Sequence, residues 1–233
     1  MNLRSNIDIS VIFSNIPVFL SLTEIDKKLL VQNCQFEEFD TGLNIIEQGD
    51  NSTTVYFLIK GAVHVLDYSE SGRTITYAAL KEGDMFGEMA AIDNLPRSAW
   101  VRTITPCTVA TVPGKILLEV LKNNAAVSLA ILKQLSNRIR LSDERLTDVS
   151  FLGAEQRACI ELMRMAKPDP LESETFIIFQ MPTQSNFANI IGSSRETVSR
   201  IFKKLKEESI INISGRRVSI PNRKKLEKRF FEV

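Results

Sequence analysis

The 233-residue sequence predicts an α+β fold, with β-strands in the first half of the chain and helices in the second. Three observations support this prediction. Glycines recur about every 11 residues between positions 42 and 83, and the segments between them are rich in β-branched and aromatic residues. A stretch without proline follows, from about residue 115 to 151. Near the C-terminus, two short segments with helical periodicity flank Gly192.

The first 114 residues are expected to form an antiparallel β-roll. Thr23 can cap a short helix at 24–33, after which β-rich stretches such as 54–59 and 74–77 alternate with glycine turns. The run 98–112 supplies the last strands, and Pro113-Gly114 ends the region. Regularly spaced short strands of this kind are typical of sandwiches and rolls.

Residues 115–151 are expected to form a long dimerisation helix, beginning at about Lys115 or Ala125. A heptad register from Ala125 gives a seam of mostly apolar side chains. Its a positions are Ala125, Leu132, Ile139 and Leu146, and its d positions are Ser128, Leu135, Ser142 and Val149. This seam predicts a parallel homodimer. The alternative is a helix that packs on its own domain.

Residues 152–233 are expected to contain a helix-turn-helix. Thr183 can cap a first helix, and Ser193 or Ser194 a second, with Gly192 at the turn. One face of the second helix is an apolar stripe formed by Val198, Ile201, Phe202 and Leu205. Off that stripe lie Arg195, Glu196, Ser199, Arg200 and Lys203. Arginine can bond guanine and glutamate can accept from cytosine, so double-stranded DNA is the predicted partner. The alternative is a solvated helix face with ion pairs.

A hairpin wing is predicted after the second helix. The stretches 210–213 and 217–220 flank a Ser-Gly-Arg turn, which places Arg216 and Arg217 where they could contact phosphate. From residue 182 onward the chain has 12 Lys and Arg against 5 Asp and Glu, a net charge of +7, whereas the first 181 residues have 17 against 23, a net charge of −6. This asymmetry indicates that the C-terminal part meets the polyanion.

The composition argues against several other classes. Cys34, Cys107 and Cys159 are far apart and form no metal-ligand set, and the single histidine, His64, lies in an apolar alternating run. We therefore expect no metal and no enzymatic activity. No run of 18 apolar residues and no signal-peptide pattern occur, so the expected location is cytoplasmic, with no membrane partner.

A second candidate site lies at 86–100. Gly87 allows close approach of a backbone amide, and a helix beginning after it would direct further amides at an anion. Arg97 can pair with a phosphate, Ser98 can donate a hydrogen bond, and Glu88 can accept one from a ribose hydroxyl. The residue types thus suit a sugar phosphate. The alternative is a bulged loop with a surface pair of Arg97 and Glu88.

The segment 86–100 resembles the phosphate-binding cassette of cyclic-nucleotide-binding domains, and Ser194–Arg200 resembles the recognition helix of the cyclic-AMP receptor protein. Along nearly its whole length the chain resembles the cyclic-AMP receptor protein/fumarate–nitrate regulator family of bacterial transcription regulators. The resemblance implies a cyclic-nucleotide-binding roll, a winged helix-turn-helix that reads a palindromic TGTGA-like site, cyclic AMP as effector, and RNA polymerase as a further partner. The ligand-binding residues it implies are Gly87, Glu88, Met89, Arg97, Ser98, Ser142 and Asp143. The DNA-binding residues expected are Thr183, Ser194, Arg195, Glu196, Ser199, Arg200, Lys203, Arg216 and Arg217.

The chain departs from the family pattern in ways that bear on the effector. The segment from Gly87 to Arg97 is one residue shorter than in the enterobacterial receptor. Ser142 and Asp143 stand where the family has two hydroxyl residues that meet the adenine, and the carboxylate of Asp143 leaves the identity of the base open. The alternatives to cyclic AMP are cyclic GMP, a cyclic dinucleotide, another metabolite or no effector. A nucleotide-binding module that acts on a protein partner is the alternative from another functional class.

Overall fold

The computed structural model describes residues 16–68, 74–170, 172 and 174–231. The chain divides into two compact units, Met1–Ile139 and Arg140–Val233. In the first, a 3-10 helix at Pro17–Phe19 precedes helix α1, Glu24–Gln32. The Thr23 side chain accepts from the Asp26 amide, and the Asp26 side chain accepts from the Thr23 amide. This reciprocal capping explains why the helix begins where the sequence predicted.

Two four-stranded antiparallel sheets form the body of the first unit. One has the order β1-β8-β3-β6 and the other β2-β7-β4-β5. The strands are β1 Gln35–Phe39, β2 Asn44–Ile46, β3 Val55–Lys60, β4 Ala62–Tyr68, β5 Thr74–Lys81, β6 Met85–Phe86, β7 Trp100–Thr103 and β8 Cys107–Val112. The predicted antiparallel roll is confirmed. The glycines that separate the strands in the sequence are Gly42, Gly49, Gly61, Gly72 and Gly83. Four of them have positive φ, and Gly72 lies outside the described residues.

Gly61 illustrates why glycine is required at one of these turns. Its φ is +98°, and a Cβ there would lie 2.5 Å from the Pro106 carbonyl oxygen. Any side chain would therefore collide with the backbone of the β7–β8 connection, so the tight β3–β4 turn depends on this residue.

The core of the first unit joins the sheets to the helices that follow them. Phe57, Val112 and Leu117 are fully buried, as is Val127. A short helix, α2 (Glu88–Asp93), lies between β6 and β7. Two helices, α3 (Gly114–Asn123) and α4 (Ala125–Phe151), follow β8. The long helix thus begins at the later of its two predicted starts.

Asn124 separates α3 from α4. Its side-chain oxygen accepts from the Val127 amide at 3.2 Å, so it caps α4, while its side-chain amide donates to Ser21 O at 3.0 Å and to Asp26 Oδ2 at 2.9 Å. The residue is buried, and these bonds connect the start of α4 to the start of α1.

The first two d positions of the predicted heptad seam, Ser128 and Leu135, make contacts within their own unit. The Ser128 hydroxyl donates to the Leu121 carbonyl at 2.6 Å, and Leu135 packs on the core of the first unit. At these two positions the helix therefore packs on its own domain, which was the alternative to a dimer seam. The exposed apolar residues of α4 include four positions of the predicted seam: Leu132, Ile139, Leu146 and Val149. Leu129 and Phe151 are exposed as well.

The second unit contains the end of α4 and a small helix–sheet domain. Its sheet has the order β11-β12-β10-β9. Its elements are α5 Ala154–Met165, β9 Lys167–Pro168, β10 Phe176–Ile178, α6 Gln184–Ile190, α7 Arg195–Glu207, β11 Asn212–Ser214, β12 Arg217–Ile220 and α8 Arg223–Phe231. Strand β10 is short, because the chain leaves the sheet after Ile178. Phe187, Val198, Leu205 and Leu226 are fully or nearly fully buried.

Among the described residues, no helix is both long and apolar enough to cross a bilayer. Nor do those residues include a group of three or more His, Cys, Asp or Glu side chains that could hold a metal ion.

Candidate functional site

Gly87 is the N-cap of α2 and has φ +79°. A Cβ at this position would lie 2.8 Å from Arg97 Nη1 and 3.0 Å from the Thr54 carbonyl oxygen. The left-handed backbone and the close approach both require glycine. Gly87 therefore brings the start of α2 against the Arg97 side chain, as the sequence predicted.

Arg97 is 4% exposed, and its guanidinium is held by neighbouring main chain. It donates to Gly87 O at 2.8 Å, to Thr54 O at 2.6 Å and to Ser52 Oγ at 3.2 Å. The ring of Tyr56 lies 5.8 Å away. Burial lowers the pKa of the Arg97 guanidinium, although the nearby Tyr56 and acidic groups oppose that effect. The charge is thus preorganised beside α2 rather than extended into solvent.

Glu88 is 2% exposed and its partner is Arg138, not Arg97. Arg138 Nη1 donates to Glu88 Oε1 at 2.6 Å, and Arg138 Nη2 donates to the Met85 carbonyl at 2.9 Å. The alternative of a surface Arg97–Glu88 pair is therefore wrong. Sequence reasoning missed Arg138. The signal was available, because Arg138 lies one helical turn before Ser142, on the same face of α4.

An open cleft lies beside these residues; its empty space is about 410 Å³, including solvent at its mouth. The structure brings five of the predicted ligand-binding residues together there, and Arg138 with them: Gly87, Glu88, Met89, Arg97, Ser98 and Arg138. Ser98 is exposed, and its hydroxyl lies 3.8 Å from Met89 Sδ. Side chains such as Ile46 and Val101 make the remaining wall apolar. A mostly apolar cleft with a few convergent polar groups is typical of small-molecule sites.

Ser142 and Asp143 lie on the part of α4 that belongs to the second unit, and both are exposed. Both border the helix face that carries Ile139 and Leu146, each about 50° from its centre and on opposite sides of it. Their predicted contact with a base stays a prediction.

The helix-turn-helix of the second unit begins at Thr183, whose hydroxyl accepts from the Asn186 amide at 3.2 Å. Gly192 has φ +61° at the turn. Of the two serines considered as caps, Ser194 is the one used, because its hydroxyl accepts from the Thr197 amide at 3.2 Å. Both predicted caps are thus present, and the apolar stripe of α7 is buried.

The opposite face of α7 is exposed, and it carries the five residues that were expected to meet DNA: Arg195, Glu196, Ser199, Arg200 and Lys203. Hydrogen bonds from its own backbone amide and from the Ser194 hydroxyl lower the pKa of Glu196, so the carboxylate is ionised and can only accept. Arg200 Nη2 donates to Thr197 Oγ1 at 3.3 Å.

Strands β11 and β12 form the predicted hairpin, with Gly215 at φ +58°. Arg216 Nε donates to the Met181 carbonyl at 3.3 Å, and Arg217 Nη2 lies 3.5 Å from Asp169 Oδ2. Both arginines are exposed beyond these contacts. A guanidinium has five N–H donors, so these contacts leave others that could contact phosphate.

Arg157, on α5, is a further functional candidate that sequence reasoning missed. Its Nη1 donates to Leu152 O at 2.6 Å, its Nε to Ile191 O at 2.8 Å, and its Nη2 to Gly192 O at 3.1 Å. The arginine thus joins the end of α4 to the turn between α6 and α7. No local sequence pattern predicts this role, because the Ile191 and Gly192 carbonyls are 34 and 35 residues away.

Comparisons with known proteins match both regions. Residues 36–124 match the cyclic nucleotide-binding domain model, and residues 156–229 match the Crp-like helix-turn-helix domain model. The chain is 29% identical over 192 residues to the cAMP-activated global transcriptional regulator CRP of Salmonella typhimurium; the alignment covers 82% of this chain and 91% of that protein. This chain belongs to the CRP/FNR family. Relatives in this family are transcription regulators rather than enzymes, in agreement with the sequence-based expectation.

Solved CRP/FNR structures have the same fold. A CooA mutant from Carboxydothermus hydrogenoformans has a TM-score of 0.77 at 17% identity, covering 93% of this chain and 95% of that one. The c-di-GMP responsive global regulator CLP of Xanthomonas campestris has a TM-score of 0.70 at 21% identity, covering 85% and 99%. The predicted class, a β-roll followed by a long helix and a helix-turn-helix, is thereby confirmed.

Proposed function

We propose that this CRP/FNR protein is a cyclic-AMP-dependent, cytoplasmic transcription regulator that binds a palindromic TGTGA-like DNA site as a homodimer. The observation that carries the proposal is the cavity beside α2. There a buried, positively charged Arg97 and a buried, ionisable Glu88 converge with Ser98 and the glycine turn. A positively charged donor such as Arg97 suits a phosphate, and an acceptor carboxylate such as Glu88 suits a ribose hydroxyl.

In this proposal each side chain has a defined task. Arg97 and the amides that follow Gly87 bind the cyclic phosphate, and Ser98 donates a further hydrogen bond. Glu88 accepts from the ribose hydroxyl, and Arg138 holds its carboxylate in position through the 2.6 Å bond. Met89, which is 48% exposed, supplies apolar contact at the cavity mouth.

The base is proposed to meet Ser142 and Asp143. A carboxylate can accept from the amino group of adenine or from the amino edge of guanine, so Asp143 makes base preference a matter for experiment. We expect Asp143→Ser to change the ratio of affinities for cyclic AMP and cyclic GMP more than it changes thermal stability, because Asp143 is exposed. Calorimetric titration of both nucleotides measures that ratio. An unchanged ratio would mean that Asp143 does not read the base.

The proposed division of labour follows the chain. Residues 1–114 bind nucleotide, 115–151 form the dimerisation helix, and 152–233 bind DNA, with RNA polymerase as an expected partner by family. Arg195, Glu196 and Arg200 read bases, Ser199 and Lys203 border them, and Thr183, Ser194, Arg216 and Arg217 face the phosphates. A homodimer supplies two recognition helices for the two half-sites of a palindrome.

Direct titration tests the effector. We expect cyclic AMP to bind the wild-type chain more tightly than cyclic GMP or cyclic di-GMP, measured by calorimetry and by thermal shift. Cyclic di-GMP belongs in the test because the structurally similar CLP responds to it. If cyclic GMP or cyclic di-GMP binds more tightly, that nucleotide replaces cyclic AMP as the proposed effector. If none of the three nucleotides binds, the proposed nucleotide effector is wrong.

The alternative from another class is a nucleotide-binding module that acts on a protein partner. The exposed set Arg195, Glu196 and Arg200 on a capped recognition helix favours DNA. The salt dependence of DNA binding distinguishes the two. A linear fall in the logarithm of affinity with the logarithm of salt concentration is expected for phosphate contacts, and little DNA affinity at low salt would favour the protein partner.

A further inference from the structure

Five charged side chains in the second unit join the last turns of α4 to α5. Glu144, Arg145 and Asp148 belong to α4, and Glu161 and Arg164 belong to α5; we call this group the clasp. Arg145 Nη2 lies 2.9 Å from Glu161 Oε1. Arg164 Nη1 lies 2.7 Å from Asp148 Oδ2, and Arg164 Nη2 lies 3.1 Å from Glu144 Oε2.

The clasp is partly removed from solvent. The Glu161 side chain is 7% exposed and that of Asp148 is 15%, while both arginine side chains are 23% exposed. Burial lowers the pKa of Arg164, but its hydrogen bond to Asp148 and the three nearby carboxylates outweigh burial, and its pKa is raised. Partly buried pairs are screened less by salt than surface pairs, and loss of one partner leaves the other desolvated.

The clasp spans the short connection between α4 and α5. Helix α4 ends at Phe151, and only Leu152 and Gly153 precede α5. The bonds of the clasp join residues 16 to 20 positions apart, on both sides of this joint. Glycine adds backbone freedom at the joint, so side-chain contacts between the helices restrict its angle.

Arg157 connects α5 to the turn before α7, the recognition helix. It lies on α5, between the joint and the clasp residues Glu161 and Arg164. Its bonds reach the carbonyls of Ile191 and Gly192, immediately before the Ser194 cap of α7. Contiguous bonds thus run from the end of α4, through α5, to the start of α7.

We propose that the clasp sets the angle between α4 and α5, and through Arg157 the position of α7, with Arg164 as the positioning residue. This inference rests on the proposed function, because its consequence is DNA binding that responds to a nucleotide. A ligand shifts an equilibrium only between states that differ, and a loosened joint makes the two DNA-binding states more alike. Losing the clasp therefore lowers the ratio of DNA affinities measured with and without nucleotide.

The first experiment measures the joint itself, without nucleotide or DNA. Amide hydrogen exchange at residues 152–157 is compared in the full chain for wild type, Arg164→Gln, Arg164→Lys and the matched control Arg140→Gln. Arg140 is an exposed arginine of α4 outside the clasp. We expect exchange about tenfold faster in Arg164→Gln, an intermediate rate in Arg164→Lys, and wild-type rates in the control. High salt is expected to accelerate wild-type exchange less than Arg164→Gln does, because the clasp is partly buried.

Equal exchange in Arg164→Gln and wild type overturns the inference. If Arg164→Gln does not fold, Glu144→Gln replaces it. This variant neutralises a carboxylate that is 60% exposed, so a smaller acceleration, on the order of twofold, is expected. Wild-type exchange in that variant would contradict the clasp equally.

The second experiment measures DNA affinity with and without cyclic AMP for the same variants. The affinity ratio is expected to fall about fivefold in Arg164→Gln and to recover in part in Arg164→Lys. If the wild-type chain binds DNA equally well with and without cyclic AMP, the proposed effector is wrong. The exchange data still decide whether the clasp orders the joint. A normal ratio in wild type and in Arg164→Gln contradicts the positioning role and leaves the proposed function intact.

Discussion

Arg97 combines a proposed ligand contact with a structural task. Its guanidinium is buried and bonds the carbonyls of Thr54 and Gly87, which connects the loop before β3 to the start of α2. Replacing it with leucine would remove the phosphate partner and also leave two main-chain acceptors without this donor. We therefore expect Arg97→Leu to destabilise the fold, because buried acceptors that lose their donors are costly.

Ser98 is the cleaner probe of the cassette. We expect Ser98→Ala to weaken cyclic AMP binding by about 1 kcal/mol, the usual scale for one hydrogen bond, without changing the melting temperature, since Ser98 is exposed. Arg97→Leu should weaken binding more and also lower the melting temperature. Calorimetry and thermal unfolding on the two variants provide the comparison. Wild-type affinity in both would remove the cassette from the binding site.

Substitutions at Glu196 and Arg216 distinguish contacts that read bases from contacts that position the protein on the DNA phosphates. Glu196 is exposed on α7 and its lowered pKa keeps it an acceptor, whereas Arg216 lies on the hairpin. Glu196→Ala should relax base preference at one position of each half-site, and Arg216→Ala should weaken binding to all sequences alike. Selection of binding sites from a random pool measures this. An unaltered consensus for Glu196→Ala argues against base contact.

At the scale of elements, Asn124 determines where the long helix begins. Asn124→Ala should lower the free energy of unfolding by about 2 kcal/mol, because it removes the cap of α4 and the bonds to Ser21 and Asp26. Asn123→Ala is the control, since Asn123 is exposed at the end of α3. Denaturant unfolding compares the two, and equal stabilities would mean that α4 does not need this cap.

Local signals predicted most elements well. The caps at Thr23, Thr183 and Ser194 were readable because capping depends on residues only three positions apart. The roles of Arg138 and Arg157 could not be predicted, because each arginine donates to groups that are distant in the sequence. The heptad analysis did not foresee that Ser128 and Leu135 contact their own unit, because periodicity identifies an apolar face without saying which neighbour covers it.

At the scale of the whole molecule, α4 presents apolar residues that the described parts of this chain leave exposed. Leu132 is 59% exposed, Ile139 61% and Leu146 67%. They lie seven residues apart on one face, which is the spacing of a helix that packs against another helix. These are a positions of the predicted heptad register, and they are where we expect the proposed homodimer to form.

Ile139→Glu should therefore disrupt the proposed dimer, because two copies would place like charges opposite each other in an apolar seam. Asn137→Glu is the matched control; it introduces the same charge on α4 at an exposed position away from that face. We expect sedimentation to give a monomer for Ile139→Glu and a dimer for wild type and control. Because a palindrome needs two recognition helices, affinity for the full site should fall in Ile139→Glu toward that of wild type for a single half-site. If Ile139→Glu remains dimeric, the exposed face of α4 is not the dimer interface, and the two half-sites must be joined through another surface.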